Sequence, residues 1–191
     1  FTLNTNATAT NMDINGTVTA TGNITADVTM GASGVLNLNN SNTWGDNAAK
    51  VVGTIKSGGS GGTAQGTLNI NGTFTTQGAI GQGGRGLAAI NLSNSTFTNG
   101  FTTTFAHNVN ATTITIGTSN MQTNATLTLS ETSDGSNLII TGDIAGGGNY
   151  TAGGDIASGV LDINSDTDVT GTIGTSGAYL AEVQVANDMI L

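Results

Sequence analysis

The chain has 191 residues and a formal net charge of −9, and only 8% of its residues are charged, against about 25% in an ordinary globular domain. Its basic residues are Lys50, Lys56 and Arg85. These are too few to neutralise a row of phosphates, so nucleic acid is not an expected partner. No apolar run approaches the roughly 20 residues that a bilayer-spanning helix needs, and membrane insertion by this segment is not expected either.

The most abundant residue types favour strands and turns. The chain contains 35 Thr, 23 Asn and 30 Gly; Thr suits the surface of a sheet, whereas Asn and Gly suit turns. Proline, which lacks the backbone donor needed inside a sheet, is absent. Cysteine is also absent, which excludes disulfides, thiolate metal ligands and cysteine nucleophiles. We expect an all-β chain that forms a single repetitive domain over residues 1–191.

Short triplets with apolar residues two apart recur along the chain and predict strands with one apolar face. Their first positions are separated by 24, 32, 22, 24, 24 and 23 residues. In chain order they are Met12-Asp13-Ile14, Leu36-Asn37-Leu38, Leu68-Asn69-Ile70, Ile90-Asn91-Leu92, Ile114-Thr115-Ile116, Leu138-Ile139-Ile140 and Leu161-Asp162-Ile163.

Two further elements follow many of these triplets. After a turn such as Asn71-Gly72 comes a second strand, such as Thr73-Phe74-Thr75. A third element has the form Gly-x-Ile, as in Gly78-Ala79-Ile80. Three short strands in about 24 residues are what one coil of a parallel β-solenoid (β-helix) requires, and the whole chain would form about eight coils. An antiparallel β-sandwich is the alternative, because turn residues also occur every 8–12 residues, but it gives no reason for the recurring spacing.

The longest interval, between Leu36 and Leu68, differs from the others. Residues 41–66 include Trp44, both lysines and a run of glycine and serine that begins at Ser57. The extra length predicts a Gly-rich loop that protrudes from one coil, where repeat proteins often place binding residues. The alternative, which the composition favours slightly, is a flexible excursion with a stacked Trp44 and no binding role.

The repeats resemble the passenger regions of bacterial autotransporters, particularly the rickettsial-type outer-membrane surface antigens. The resemblance rests on residues 68–81 (LNINGTFTTQGAIG) and residues 172–185 (TIGTSGAYLAEVQV), and on the style of the repeats over most of the chain. It implies a β-helical stalk on a bacterial cell surface or in the secreted fraction, with an adhesive or protective role. The C-terminal translocator barrel of such proteins is not among these residues.

Few residues point to chemistry. His107 is the only histidine, and no nucleophile-elbow motif accompanies it, so we expect no catalytic residues, no enzyme activity and no cofactor. The best candidate metal ligands are Asp162, Asn164, Asp166 and Asp168, whose oxygens alternate as at the start of an EF-hand calcium loop. Thr167 and Ile173 stand where that loop needs Gly and Glu. An acidic ladder along the outward face of a strand is therefore the default expectation, with weak calcium binding as the alternative.

Two non-catalytic functions fit these features. The first is a segment of a β-helical passenger stalk with an adhesive face, directed at a host or neighbouring cell surface. The second is a self-assembling subunit of an extracellular filament or surface layer, joined through its terminal strands. Both ends of the sequence carry strand-like apolar residues, Phe1 and Leu3 at one end and Met189, Ile190 and Leu191 at the other. Because solenoid ends need polar caps, we expect these ends to meet further coils of the same chain or copies of it.

Overall fold

A computed structural model describes residues 1–39, 49–59, 62–76, 78–82, 84–93, 100–117, 125–130, 136–148, 150–151, 154–155, 157–175 and 177–186. The described residues form strands and turns, with no helix among them. The expected all-β class is confirmed. In the described part of the chain no helix is long and apolar enough to cross a membrane.

Nineteen strands lie in the described residues. They are β1 (Thr2–Leu3), β2 (Ala7–Ile14), β3 (Thr17–Ala20), β4 (Ile24–Met30), β5 (Val35–Asn39), β6 (Ala49–Val52), β7 (Ile55–Ser57), β8 (Thr67–Asn71), β9 (Phe74–Thr76), β10 (Leu87–Leu92), β11 (Phe101–Phe105), β12 (Val109–Ile116), β13 (Ala125–Leu129), β14 (Leu138–Gly146), β15 (Tyr150–Thr151), β16 (Gly154–Asp155), β17 (Val160–Ile163), β18 (Thr167–Thr170) and β19 (Glu182–Val185).

Two long parallel sheets contain all of these strands except one small pair. The eight-stranded sheet has the order β1-β3-β5-β8-β10-β12-β14-β18, and the nine-stranded sheet has the order β19-β17-β13-β11-β9-β6-β4-β2, with β7 beside β4. Apart from β7, which follows β6 in the nine-stranded sheet and lies beside β4, the strands of the two long sheets alternate along the chain, and each lies beside the previous strand of its own sheet. We call the stretch between successive strands of one sheet a coil.

The strand directions exclude the alternative architecture. Every described pairing within the two long sheets is parallel, and the antiparallel contacts among the described residues are the β15–β16 pair and an isolated bridge between Thr175 and Ala178. An antiparallel β-sandwich would need hairpin partners throughout. That alternative is wrong for this chain.

Residues that are mostly apolar line up from coil to coil in several rows, and three of these rows run along nearly the whole described stack. One row runs through Val18, Leu36, Leu68, Ile90, Ile114, Ile144 and Ile173. A second runs through Ala7, Ile24, Val51, Thr76, Phe105, Leu129, Ile163 and Val185. The third runs through Met12, Val28, Ile55, Ile80, Val109, Ile140 and Val169.

The third row exists because some long strands contribute residues to two rows, with a shift in pairing between them. In β12 the pairing with β14 shifts between Asn110 and Thr113, and in β2 the pairing with β4 shifts between Thr8 and Asn11. Such bulges bend a strand and redirect its side chains. A single strand therefore supplies residues to two faces of the stack.

The rows correct the repeat that the triplets suggest. Leu36, Leu68, Ile90 and Ile114 do stack on one another. Met12 and Leu161 belong to the nine-stranded sheet, and Leu138 lies beside Thr167 at the start of β14. The separation of residues stacked one coil apart varies from 16 positions for Met12 and Val28 to 34 for Leu129 and Ile163, and it is 24 only for some pairs, such as Ile90 and Ile114. The near-constant spacing of 24 was therefore partly coincidental.

The range 41–66 contains strands as well as connections. β6 pairs with β4 and β9, and β7 pairs with β4, so both belong to the stack. Ile55 and Ser57 of β7 are buried. Residues 41–48, 60 and 61, including Trp44, lie outside the described residues. The protruding loop stays a prediction for the parts of the range that β6 and β7 do not occupy.

Candidate functional site

Asparagine side chains form a ladder on the outward face of the eight-stranded sheet. Asn37, Asn69 and Asn91 occupy matching outward positions on β5, β8 and β10, between buried apolar neighbours. The Asn91 Nδ2 donates to Asn69 Oδ1 at 2.9 Å, and the Asn69 Nδ2 donates to Asn37 Oδ1 at 2.8 Å. The ladder ends where the Asn37 Nδ2 donates to the Thr19 hydroxyl at 3.3 Å.

A second, shorter ladder runs beside the first. The Asn71 Nδ2 donates to Asn39 Oδ1 at 2.7 Å, and the Ser93 hydroxyl donates to Asn71 Oδ1 at 3.5 Å. A shallow depression of about 490 Å³ lies over both ladders, and its lining consists of Asn69, Asn71, Asn91, Ser93, Thr115, Gly117 and Gly147. We call this lining the amide face.

The amide face offers hydrogen-bonding groups that its own contacts leave unused. An Asn amide has two N–H donors and a carbonyl oxygen with two acceptor positions. Within the ladder Asn69 uses one donor and one acceptor position, so one of each can meet a ligand. None of the lining residues is ionisable. The chemistry of this surface therefore suits a neutral, polar partner with its own donors and acceptors.

Long connections leave the sheet at the rim of the amide face. The chain takes residues 93–100 to pass from β10 to β11, residues 117–124 to pass from β12 to β13, and residues 147–159 to pass from β14 to β17. Most of these residues lie outside the described part of the chain. In stacked-repeat proteins, insertions that gather on one side often belong to a binding surface.

Carboxylates join neighbouring coils at two corners of the stack. Asp27 Oδ1 accepts from the backbone N–H and the hydroxyl of Thr54, both at 2.9 Å. Asp143 Oδ1 accepts in the same way from Thr172, at 2.9 and 2.8 Å. Both hydrogen bonds favour the charged carboxylate and therefore hold the pKa of each carboxyl below its ordinary value. The bond from the backbone N–H has the larger effect and the bond from the hydroxyl the smaller. Lys56 adds a smaller effect in the same direction on the pKa of Asp27.

Asparagines make the same connection at two other corners. Asn6 Oδ1 accepts from the backbone N–H of Asn23 at 2.9 Å, and Asn108 Oδ1 accepts from that of Ile139 at 2.8 Å. In each case the side-chain oxygen of an Asp or Asn accepts from a backbone N–H of the next coil. At the bend, the parallel ladder leaves this N–H without a backbone partner. We call these contacts corner caps.

Glycines let the coils approach closely at these corners. Gly53 has φ +127° and precedes Thr54, and a Cβ atom there would overlap the carbonyl oxygen of Ala26. Gly142 has φ +135° and precedes Asp143, and a Cβ atom there would overlap the carbonyl oxygen of Ala111. The predicted Gly-x-Ile elements at Gly78, Gly142 and Gly171 are such corners. At Gly53, Gly142 and Gly171 both the positive φ and the lack of space require glycine, whereas at Gly78 the lack of space alone requires it.

The four predicted calcium ligands do not lie on one strand. Asp162 is on β17, which ends at Ile163, and Asp168 is on β18, which belongs to the other long sheet. Asn164 and Asp166 lie in the turn between them. The structure brings Asp162 and Asn164 together, because Asp162 Oδ2 accepts from Asn164 Nδ2 at 2.9 Å and from the Thr128 hydroxyl at 3.2 Å.

The backbone carbonyl of Asp166 accepts from the N–H of Leu138. Among the described residues no group of three or more His, Cys, Asp or Glu side chains is placed to hold a metal ion. Calcium binding at the four residues stays a prediction.

The amide face could be predicted from the sequence, whereas the corner caps could not. Asn37, Asn69 and Asn91 each occupy the middle of an apolar triplet. A middle residue points away from the core, and stacked triplets place their middle residues side by side. The residues of each corner cap are 17 to 31 positions apart, so they could not be paired without knowing the coil lengths.

Comparisons with known proteins add no relative. A scan against models of protein families, a search of curated proteins and a search of solved structures each return no match.

Proposed function

We propose that the chain is a non-catalytic, extracellular segment of a parallel β-solenoid of about eight coils, which serves as a stalk on a bacterial cell surface and carries an adhesive face. One observation carries the proposal: rows of mostly apolar residues run from coil to coil along the described stack. A single cluster of buried side chains extends from Ile14 to Ile163. A continuous core of this kind makes a rod whose length grows with the number of coils.

The exterior supports a structural role. Several outward polar residues hydrogen-bond to one another from coil to coil, as in the two ladders and the corner caps. The two carboxylates with lowered pKa values, Asp27 and Asp143, owe those shifts to corner caps. At a stack spacing of about 4.8 Å, eight coils span on the order of 40 Å.

The amide face is the adhesive surface in this proposal. It is neutral, hydrogen-bonding and bordered by long connections. A neutral glycan or an uncharged protein surface on a host or neighbouring cell has the matching chemistry. Acceptance of a calcium ion by Asp162, Asn164, Asp166 and Asp168 would be incidental to this role, and no cofactor is required.

Surface display tests the stalk directly. The chain would be fused to an outer-membrane translocator barrel, and adhesion of the bacteria to one another and to a cultured cell layer would be compared with an empty barrel. Leu87 lies beside Ala111, so deletion of residues 87–110 removes one coil and rejoins the chain in register. We expect the full and the shortened chains to be exported, protease-resistant and rich in strand, and the full chain to raise adhesion.

The amide face is tested in the same assay. Asn69→Ala combined with Asn91→Ala should lower adhesion while display is retained, and Thr113→Ala on the same sheet is the matched control. Adhesion at the level of the empty barrel, or a displayed chain that is digested as an unfolded one, would contradict the proposal.

A second candidate function is a self-assembling subunit of an extracellular filament or surface layer. It is favoured by the exposed apolar side chains of the last described coil, which includes Ile173, Tyr179, Val183 and Val185.

A further inference from the structure

The asparagine ladder of the amide face ends differently on its two sides. At one end the Asn37 Nδ2 donates to the hydroxyl of Thr19. At the other end Asn91 lies beside Thr115 of the next coil. Among the described residues, no hydrogen bond reaches Asn91 Oδ1 or the hydroxyl of Thr115. The Oδ1 atom of Asn91 is therefore an acceptor that the next described coil does not use.

The direction of the ladder determines which group this acceptor suits. In both rungs between asparagines, the amide N–H of the later coil donates to the amide oxygen of the coil before it. A further rung at Asn91 therefore needs an N–H donor over the coil that carries Thr115. Among neutral ligand groups, an amide repeats the chemistry of the series. It brings one N–H for Asn91 Oδ1 and one carbonyl oxygen for a neighbouring donor such as the Thr115 hydroxyl.

The depression leaves room for a ligand at this end of the ladder. Its lining passes from Asn69 through Asn91 and Thr115 to Gly147, and these residues belong to four successive coils. Gly117 and Gly147 have no side chains to fill the space above the sheet. Four coils extend over three strand spacings, or about 14 Å. The depression is therefore elongated in the direction of the stack.

An extended polysaccharide matches this direction and its repeat. In β-1,4-linked chains the rise per sugar is close to the strand spacing of about 4.8 Å, so successive sugars can lie over successive coils. Alternate sugars of such a chain face opposite sides, so a substituent on every second sugar points to the sheet. None of the lining residues is ionisable, and a neutral chain loses less on desolvation there than a charged one. A protein surface also carries amides, but without a repeat that matches the coils.

We propose that the amide face binds a β-1,4-linked chain of N-acetylated hexosamines, which lies along the stack with one sugar over each coil. One acetamide N–H of the chain donates to Asn91 Oδ1 and forms the next rung of the ladder. The carbonyl oxygen of the same acetamide accepts from the hydroxyl of Thr115. This inference rests on the proposed adhesive role of the amide face and names the chemical class of its ligand.

Isothermal titration calorimetry of the purified chain with oligosaccharides of defined length tests the ligand class. We expect the tetramer of N-acetylglucosamine to bind roughly ten-fold more tightly than cellotetraose, which has the same linkage and a hydroxyl group in place of each acetamide. Affinity should rise from the monosaccharide to the tetramer and stay constant for longer chains, because the depression spans four coils. Added salt should not change it, since the lining carries no charge.

Two variants remove the acceptor in different ways. Asn91→Ala deletes it and should weaken binding of the tetramer roughly ten-fold. Thr115→Asn places a protein amide where the acetamide would bind, so it should weaken binding as much while the chain stays at least as stable to urea. Ala145, the next residue of the series, does not line the depression, so no equivalent position replaces the lost one. Thr113→Ala, at an exposed position of the same strand, is the matched control and should leave affinity unchanged.

The outcomes separate the ligand class from the adhesive role. Equal affinity for cellotetraose, tighter binding of the deacetylated, cationic oligomer, or full affinity in Thr115→Asn would overturn the proposed ligand. If the displayed chain still raises adhesion, and Asn69→Ala with Asn91→Ala still lowers it, the adhesive role survives the loss of this ligand. If the tetramer binds as expected but the displayed chain raises no adhesion, the ligand class stands and the adhesive role fails.

Discussion

Replacing a buried isoleucine should cost far more stability than replacing an exposed one on the same type of strand. Ile70 is fully buried on β8, where it stacks between Leu38 and Leu92. Ile70→Ala removes three carbon groups, worth about 0.8 kcal/mol each. The unfilled cavity between two stacked side chains adds to this, so we expect a total loss of about 3–4 kcal/mol.

Ile139 is the matched control. It is 43% exposed on the outward side of β14, and Ile139→Ala should cost less than about 1 kcal/mol. Equilibrium urea unfolding, followed by far-UV circular dichroism, should place the Ile70→Ala midpoint about 1–2 M below that of Ile139→Ala for an m-value near 2 kcal/mol/M. Equal midpoints for the two variants would refute the assignment of inward and outward faces.

Three further predictions follow from the contacts between coils. Gly53→Ala and Gly142→Ala should each lower the free energy of unfolding by more than about 2 kcal/mol in urea melts, because of the positive φ and the overlap with Ala26 and Ala111. Gly16→Ala, which meets no atom within 4 Å, should stay within about 1 kcal/mol of the unaltered chain. Asn69→Ala removes two ladder hydrogen bonds and should cost about 1–2 kcal/mol, with Thr113→Ala near zero in the same assay. Because the pKa values of Asp27 and Asp143 are lowered by folding, their contribution to stability is complete above the ordinary pKa of 3.8 and is lost as pH falls through the folded pKa. Thermal melts from about pH 6 to pH 2 should therefore show a fall in Tm that Asp143→Asn reduces, and an unchanged acid limb would contradict the role of the cap.

The inward and outward sides of several strands could be predicted from sequence, but the order of the coils could not. Alternation alone assigned Leu36 and Leu38 to the core and Asn37 to the surface, because side chains alternate along a strand. It could not show that β12 changes row between Asn110 and Thr113, since a bulge leaves no regular pattern. The recurring triplets predict Leu138 in the same row as Ile114, whereas it lies at the start of β14 beside Thr167.

The same limit applies to the candidate sites: outward positions could be predicted from the sequence, but contacts between coils could not. The amide face follows from the middle residue of three stacked triplets, so its components were visible in the sequence. The acidic residues from Asp162 to Asp168 also alternate, but a turn at residues 164–166 directs them to two sheets. Corner caps such as Asp27 with Thr54 depend on coil lengths that vary along the chain, so the two residues of a cap could not be paired from the sequence.

A designed disulfide tests the parallel stacking most directly, since the chain has no cysteine of its own. Ala89 on β10 lies beside Thr113 on β12, and both are outward positions. A strand spacing of about 4.8 Å falls within the Cα separation that a disulfide spans. Ala89→Cys with Thr113→Cys should form an intramolecular disulfide on mild oxidation. Ala89→Cys with Thr115→Cys should not, because Thr115 lies two residues further along β12 and pairs with Asn91. Cross-linking of the second pair but not the first, or of neither, would contradict the stacked parallel coils.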